Sequence, residues 1–221
     1  MSRIPRPVAV EYPHHITQRG NYQQKVFEEE EDYLCYIEWL YDYSRKYSLK
    51  IWAYCLMTNH VHFVAVPMQP DSLAKTFNTL HMRYSQYFNK KKKLKGHLWQ
   101  GRFYSCILDE KHVYASVRYV ENNPVRAGIA AMPQEYKWSS AKSHIYKRHN
   151  PVLSDDCFLD REITDWSTYL MQSCDQDMVV KIRESTKAGR PCGEEGFVTK
   201  MEHLLGRQLK AQPRGRPCSN K

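Results

Sequence analysis

The chain has 221 residues, a net charge of +9, a pI near 9.1 and a mean hydropathy of −0.71. That length suits one domain with an appendage or two small domains around a real core, and no apolar run is long enough to span a membrane. The seven cysteines form no Cys-x-x-Cys pair and are odd in number, which argues against a zinc ribbon or a disulfide framework and for reduced thiols in a cytoplasm. Met1–Pro7 has no apolar stretch, so no secretory leader is expected. The positive charge points to a polyanionic partner, most simply nucleic acid. It is concentrated late in the chain: residues 181–221 hold 10 Lys/Arg against 4 Asp/Glu.

In chain order, Tyr12 to Arg19 reads as a strand, with His15, Thr17 and Arg19 on one face and His14, Ile16 and Gln18 on the other, ended by Gly20-Asn21. Glu28 to about Tyr47 reads as a helix. Its acidic start suits the positive end of the helix dipole, and Tyr33, Tyr36, Ile37 and Leu40 form an apolar stripe. Lys50–Met57 and His60–Val66 are two apolar strands joined tightly at Thr58-Asn59. Ser72 is a candidate N-cap for a helix through Leu73, Phe77, Leu80, Tyr84 and Phe88. The run Lys90, Lys91, Lys92, Lys93 and Lys95, closed by Gly96, reads as a basic loop. A strand-like stretch, His97–Leu108, follows, where Trp99 and Arg102 beside the lysines are candidates for base stacking and phosphate contact.

Asp109 is a candidate N-cap for a helix bearing Val113, Val117 and Val120. Tyr119 and Asn123 lie four apart near its end, flanked by Arg118 and Arg126, and Pro124 stops it. Further helices are expected near Trp138–Arg148, Tyr169–Glu184 and Glu194–Leu209, with residues 149–165 as a linker or peripheral loop. Pro213-Arg214-Gly215-Arg216-Pro217 resembles an AT-hook, and an unspecific phosphate-binding tail is its plainer reading.

The central stretch is Asn59-His60-Val61-His62. Along a strand His60 and His62 share a face, so the two imidazoles can hold one metal ion, although on spacing alone a strand end with two histidines is the plainer reading. The order of the pieces changes that balance. His15–Asn21, Asn59–His62, Leu98–Phe103, Tyr119–Gly128 and Trp138-Ser139-Ser140 together resemble the single-tyrosine HUH transposases, most closely the REP-associated tyrosine transposases of bacteria.

The resemblance implies a ferredoxin-like (RRM-like) α+β fold, an antiparallel sheet with helices on one side, and a small helical C-terminal extension. Residues 1–148 would form the catalytic domain and 149–221 the peripheral helical extension and basic tail. It implies metal binding by His60, His62 and Asn123, with Mg²⁺ or Mn²⁺ in use, and Tyr119 as nucleophile. The substrate would be single-stranded DNA carrying a REP/BIME-type hairpin, cut through a 5′-phosphotyrosine and handed to a new strand by a protein more probable as monomer than dimer. Imidazole ligands by themselves suit Mn²⁺ or Zn²⁺ better than Mg²⁺. His15 is a candidate neighbour of the metal. The weaker DNA-contact candidates are Arg19, the lysine run, Trp99, Arg102, Arg118, Arg126, Arg214 and Arg216. Two rivals stand beside this reading: a non-catalytic nucleic-acid-binding protein on an RRM-like sheet, and a metal-dependent nuclease that uses water instead of Tyr119.

Overall fold

The computed structural model describes residues 6–210. Its frame is an antiparallel sheet of β1 (His14–Arg19), β2 (Leu49–Met57), β3 (His60–Pro67) and β4 (Tyr104–Ile107), in the order β2-β3-β1-β4. Helix α1 (Glu30–Lys46) joins β1 to β2 and α2 (Ser72–Lys92) joins β3 to β4, giving the βαββαβ order of the ferredoxin-like arrangement. There follow α3 (Glu110–Glu121), α4 (Asn123–Arg126), α5 (Ala141–Ile145), α6 (Leu159–Glu162), α7 (Trp166–Met171), α8 (Gln176–Ala188) and α9 (Glu195–Leu205). No helix among the described residues is long and apolar enough to cross a membrane, and the described cysteines are all free.

Side-chain alternation along β3 divides its residues between two cores. Val61, Phe63 and Ala65, with Ile16 of β1, pack beneath Tyr36 and Leu40 of α1 and Phe77, Leu80 and Tyr84 of α2. Val64 and Val66 point the other way, with Cys106 of β4, beneath Val113, Val117 and Val120 of α3 and Ile182 of α8. The two helices of the βαββαβ unit therefore share one face, and α3 with the C-terminal helices covers the second. The stretch 149–165 supplies Val152, Cys157, Leu159 and Ile163 to these cores rather than standing off as a linker. These four buried positions are spaced too irregularly among acids to show a period. In β2 the register steps from Ile51↔Ala65 to Ala53↔Val64, so Trp52 is an extra residue in a β-bulge.

Several boundaries differ from the sequence-based expectation for identifiable reasons. The lysine run is not a loop: α2 continues through Lys92 and closes with Lys93 in the left-handed region, at φ 54°. The helix persists because its end meets the acidic start of α1. Lys91 Nζ lies 2.8 Å from Asp32 Oδ1 and 2.9 Å from Glu29 Oε2, and Lys92 Nζ lies 2.6 Å from Glu28 Oε2. Asp32, fully buried, also accepts the backbone N–H groups of Glu28 and Glu29 and the Tyr87 hydroxyl, so one carboxylate caps α1 and ties it to α2. Ser72 is the first residue of α2, not its cap, and its hydroxyl donates to Ser48 O. Of the strand-like stretch 97–108 only Tyr104–Ile107 is strand, although Trp99 bridges Gly20. The expected helix over 169–184 is two, α7 and α8, with Asp175 capping the second.

Two stability predictions follow from this packing. Replacing Asp32 by alanine strands Lys91 and the capped N–H groups, and is expected to lower unfolding free energy by about 1–3 kcal/mol in urea titrations. The second concerns two fully buried or nearly buried neutral histidines. His14 bonds Tyr12 O and the Ala9 N–H, and His81 bonds the Tyr36 hydroxyl. Burial holds His14 down to about 4 and His81 down to about 3. The unfolded chain takes up these protons near pH 6.5 and the folded one does not, so stability falls as pH drops from 6.5 toward 4. The expected slope is on the order of 1 kcal/mol per pH unit for each histidine, read from urea midpoints at pH 7 and pH 5, with a shallower slope in His81→Gln.

Candidate active site

The second face of the sheet carries the polar cluster. In the β1–β3 register Thr17 opposes His62 and Arg19 opposes His60, so His15 sits diagonally across from His62 on the same face. Gly20 makes the tight approach behind it. Its N–H donates to Asn59 O at 2.9 Å, and a Cβ there would meet Gln24 O at 2.4 Å and Val26 Cγ1 at 2.8 Å, so a side chain would displace the 24–26 segment that packs on the β2–β3 turn. That turn is further pinned by Val26 and Phe27 N–H groups donating to Thr58 O.

Above this face Asp109 caps α3, accepting the His112 N–H at 2.8 Å. The helix ends at Glu121, and α4 begins at once with Pro124 in its first turn, so Tyr119, Asn123 and Arg126 fall at helical spacing along one edge. Glu121, fully buried, locks the helix end by accepting from His144 Nδ1 at 2.7 Å and from the Ser140 hydroxyl. The Tyr119 ring, 5 % exposed, stands edge-on to both His62 and His15, with centroids 5.4 and 5.8 Å away, and the Arg126 guanidinium lies 4.7 Å from its centre. The rings of His60 and His62 are 4.9 Å apart.

Hydrogen bonds assign a proton to each imidazole. Thr186 of α8 donates its hydroxyl to Ile182 O at 2.7 Å, so toward His15 it is an acceptor, and His15 Nδ1–H donates to it at 2.7 Å. A neutral His15 then has only a lone pair at Nε2, which accepts from His62 Nδ1–H at 3.1 Å. His62 Nε2 is left as a lone pair. His60 is set in the same way: Asn59 Nδ2 donates to Gln23 O, its Oδ1 accepts from His60 Nδ1–H at 2.6 Å, and His60 Nε2 is a lone pair. Burial keeps all three rings neutral. It depresses His15 to about 3. His60 falls to about 4, chiefly by burial and then by the charge of Arg19, against a smaller upward pull from Asn123, and His62 lies well below the usual range.

This donor set fits a divalent ion. Two imidazole nitrogens left as lone pairs on rings 4.9 Å apart, each ring held from behind by a hydrogen bond, and the buried Asn123 side chain against His60 offer a neutral N₂O set. The Asn123 amide nitrogen is itself buried without a protein partner. Among the described residues no group of three or more His, Cys, Asp or Glu is placed to hold a metal.

The weaker DNA-contact candidates divide. Arg19 is exposed beside His60, and Arg126 covers Tyr119. Arg102, Lys90, Lys93 and Lys95 are exposed. Lys91 and Lys92 are engaged by the acids of α1. Trp99 is buried against His81, its indole N–H donating to His81 O, so it cannot stack on a base. Arg118 turns to α7, donating to Tyr169 O at 2.9 Å and Gln172 Oε1 at 2.7 Å. Arg214 and Arg216 lie outside the described residues. Sequence reasoning missed Thr186, a mid-helix threonine with no local signal, and the use of Asn59, visible only as part of the motif.

The fold and site define a ferredoxin-like protein with a paired-histidine and tyrosine cluster on the sheet face. The family model described as transposase, IS200-like, matches residues 9–123, and the chain belongs to that family of DNA transposases. Among solved structures, a REP-associated tyrosine transposase bound to a REP hairpin aligns at 18% identity over 71% of this chain and 93% of that chain, with a TM-score of 0.54. A candidate transposase from Deinococcus radiodurans aligns at 18% identity over 67% of this chain and 98% of that chain, with a TM-score of 0.38. No curated protein matches the sequence. The α+β fold expected from sequence is the one found.

The hydrogen-bond chain yields a test. Nitrogen-15 NMR of the metal-free protein is expected to show His62 as a single Nδ1-protonated tautomer. In Thr186→Val the spectrum should move toward a tautomer mixture at His15 and His62; an unchanged spectrum would remove Thr186 from the chain of control.

Proposed function

We propose that this transposase cleaves and rejoins single-stranded DNA bearing a REP-type hairpin, with Tyr119 as nucleophile and a divalent ion, Mg²⁺ or Mn²⁺, held by His60, His62 and Asn123. The observation that carries this reading is the placement of a nearly buried tyrosine edge-on to two neutral histidines, with Arg126 against its ring. Bound there, the ion would polarise the scissile phosphate as a Lewis acid.

The chain's own groups do the rest. Tyr119, fixed by α3 and by the Glu121 anchor, presents its oxygen to the phosphorus. The phenol oxygen–phosphorus bond forms as the bond to the 3′-oxygen breaks. The phenol loses a proton and the departing oxygen gains one, leaving a 5′-phosphotyrosine and a 3′-hydroxyl. The phosphodiester energy is kept in the tyrosyl ester, so another 3′-hydroxyl can reverse the step and join a new strand. Arg126 supplies positive charge beside the phenol oxygen and phosphate. The orphaned Asn123 N–H can donate to a phosphate oxygen. Both ring nitrogens of His15 are committed, to Thr186 and His62, so it positions His62 and is not the base. Tyr119 and the histidines come from one chain, which supports activity as a monomer.

Labelled hairpin oligonucleotides from the DNA flanking the gene, incubated with Mn²⁺ or Mg²⁺, are expected to give a covalent protein–DNA adduct on denaturing gels. Chelation should abolish it, and Tyr119→Phe should reduce it at least about a hundredfold while DNA binding persists. Cleavage without an adduct would point to a water-using nuclease, and binding with neither would point to a binding protein.

A further inference from the structure

A groove of about 610 Å³ opens along the outer edge of the sheet, between β4, the loop before it, the α8–α9 turn and the first described residues of the chain. Arg6, Arg102, Lys187 and Arg190 line it, and no lining residue is acidic. Two further cations lie at its rim: Lys210 pairs with Glu195 at 3.1 Å, and Arg207 is also engaged.

The arrangement is electrostatically unsatisfied. Arg6 stacks on Phe103, its guanidinium 3.7 Å from the ring centre, and its Nε–H donates to Phe103 O at 2.8 Å, while one terminal nitrogen is buried with no acceptor. Burial first, and then the charge of Arg102, pull the Arg6 guanidinium down to about 10.

The groove also joins the site. Gln100, at its head, donates its N–H to Arg19 O at 3.0 Å, and Arg19 opposes His60 across the sheet. A strand leaving the histidines over Arg19 therefore runs onto Gln100 and into the groove. Tyr104, 44 % exposed on the edge strand, offers a ring face beside the cations. A cationic track with an exposed aromatic is what an extended, unpaired strand needs: phosphates for the guanidinium and ammonium groups, and a base for the ring.

We propose that this groove holds the phosphate backbone of the single-stranded DNA that flanks the bound hairpin, with Arg6, Arg102, Lys187 and Arg190 as its phosphate contacts and Tyr104 as a stacking platform. The proposal rests on the DNA-strand reading above, and it adds a track for the unpaired strand in which Arg6, Lys187 and Arg190 lie outside the family-matched residues.

The test uses the full chain without added metal and three labelled probes: poly-dT, a blunt DNA hairpin and polyglutamate. Lys187 and Arg190 are exposed, so Lys187→Gln/Arg190→Gln should keep the wild-type melting temperature. By fluorescence anisotropy, the double variant is expected to bind poly-dT about tenfold more weakly. Its slope of log affinity against log salt should be shallower by about 1.4, the loss of two single-strand phosphate contacts, while blunt-hairpin binding holds. Unchanged poly-dT affinity, an equal loss on the blunt hairpin, or a wild-type preference for polyglutamate would overturn the proposal. Adduct formation by a protein whose double variant binds poly-dT normally would sink the groove and leave the catalytic reading standing. Groove-dependent binding of poly-dT without any adduct would do the reverse.

Discussion

Everything at the site depends on the register between β1 and β3. His15, His60 and His62 share a face with each other and with α3 only because Thr17 opposes His62 and Arg19 opposes His60. A slip of one residue would turn the imidazoles into the core beneath α1 and α2, where Phe63 and Val61 now sit, and would bring those apolar side chains up to Tyr119. Apolar residues on both sides of the sheet hold the register against that slip: each β3 residue has a buried place on one face and an unfavourable one on the other.

The same doubly buried sheet explains what could and could not be read from the chain. The histidine pair and its face were legible, because period-two alternation is local. So were α1, α3 and the Tyr119–Asn123 spacing, which express a helical period and a proline. The bulge at Trp52 was not, since β2 is apolar on both faces and an extra residue leaves no break in the pattern. The lysine run was misjudged as a loop because its counter-charges, Glu28, Glu29 and Asp32, are some sixty residues earlier in the chain. Composition pointed to a nucleic-acid partner without showing which of the cations and aromatics are free to meet one. Lys91, Lys92 and Arg118 are spent inside the molecule, and Trp99 is core, whereas the unpaired cations of the outer groove come from three distant stretches.

Burial, not neighbouring negative charge, is what makes the histidines available as lone-pair donors. Among the described residues no carboxylate hydrogen-bonds His15, His60 or His62 from behind. A hydroxyl, a side-chain amide and another imidazole fill that role, so the cluster carries no charge of its own and a bound cation would keep its full charge for a phosphate. The carboxylate at the C-terminal end of α3, Glu121, is instead engaged by His144 and Ser140.

The bond from Thr186 to His15 spans 171 positions of sequence, the longest-range side-chain contact at the site. All the residues that would touch the metal or the scissile phosphate lie before residue 127, yet the first proton in their alignment is set by α8, some sixty residues later. The C-terminal segment is therefore not an exchangeable module. A recombinant that grafted this sheet onto a different tail would inherit His15 and His62 without the hydroxyl that orients them.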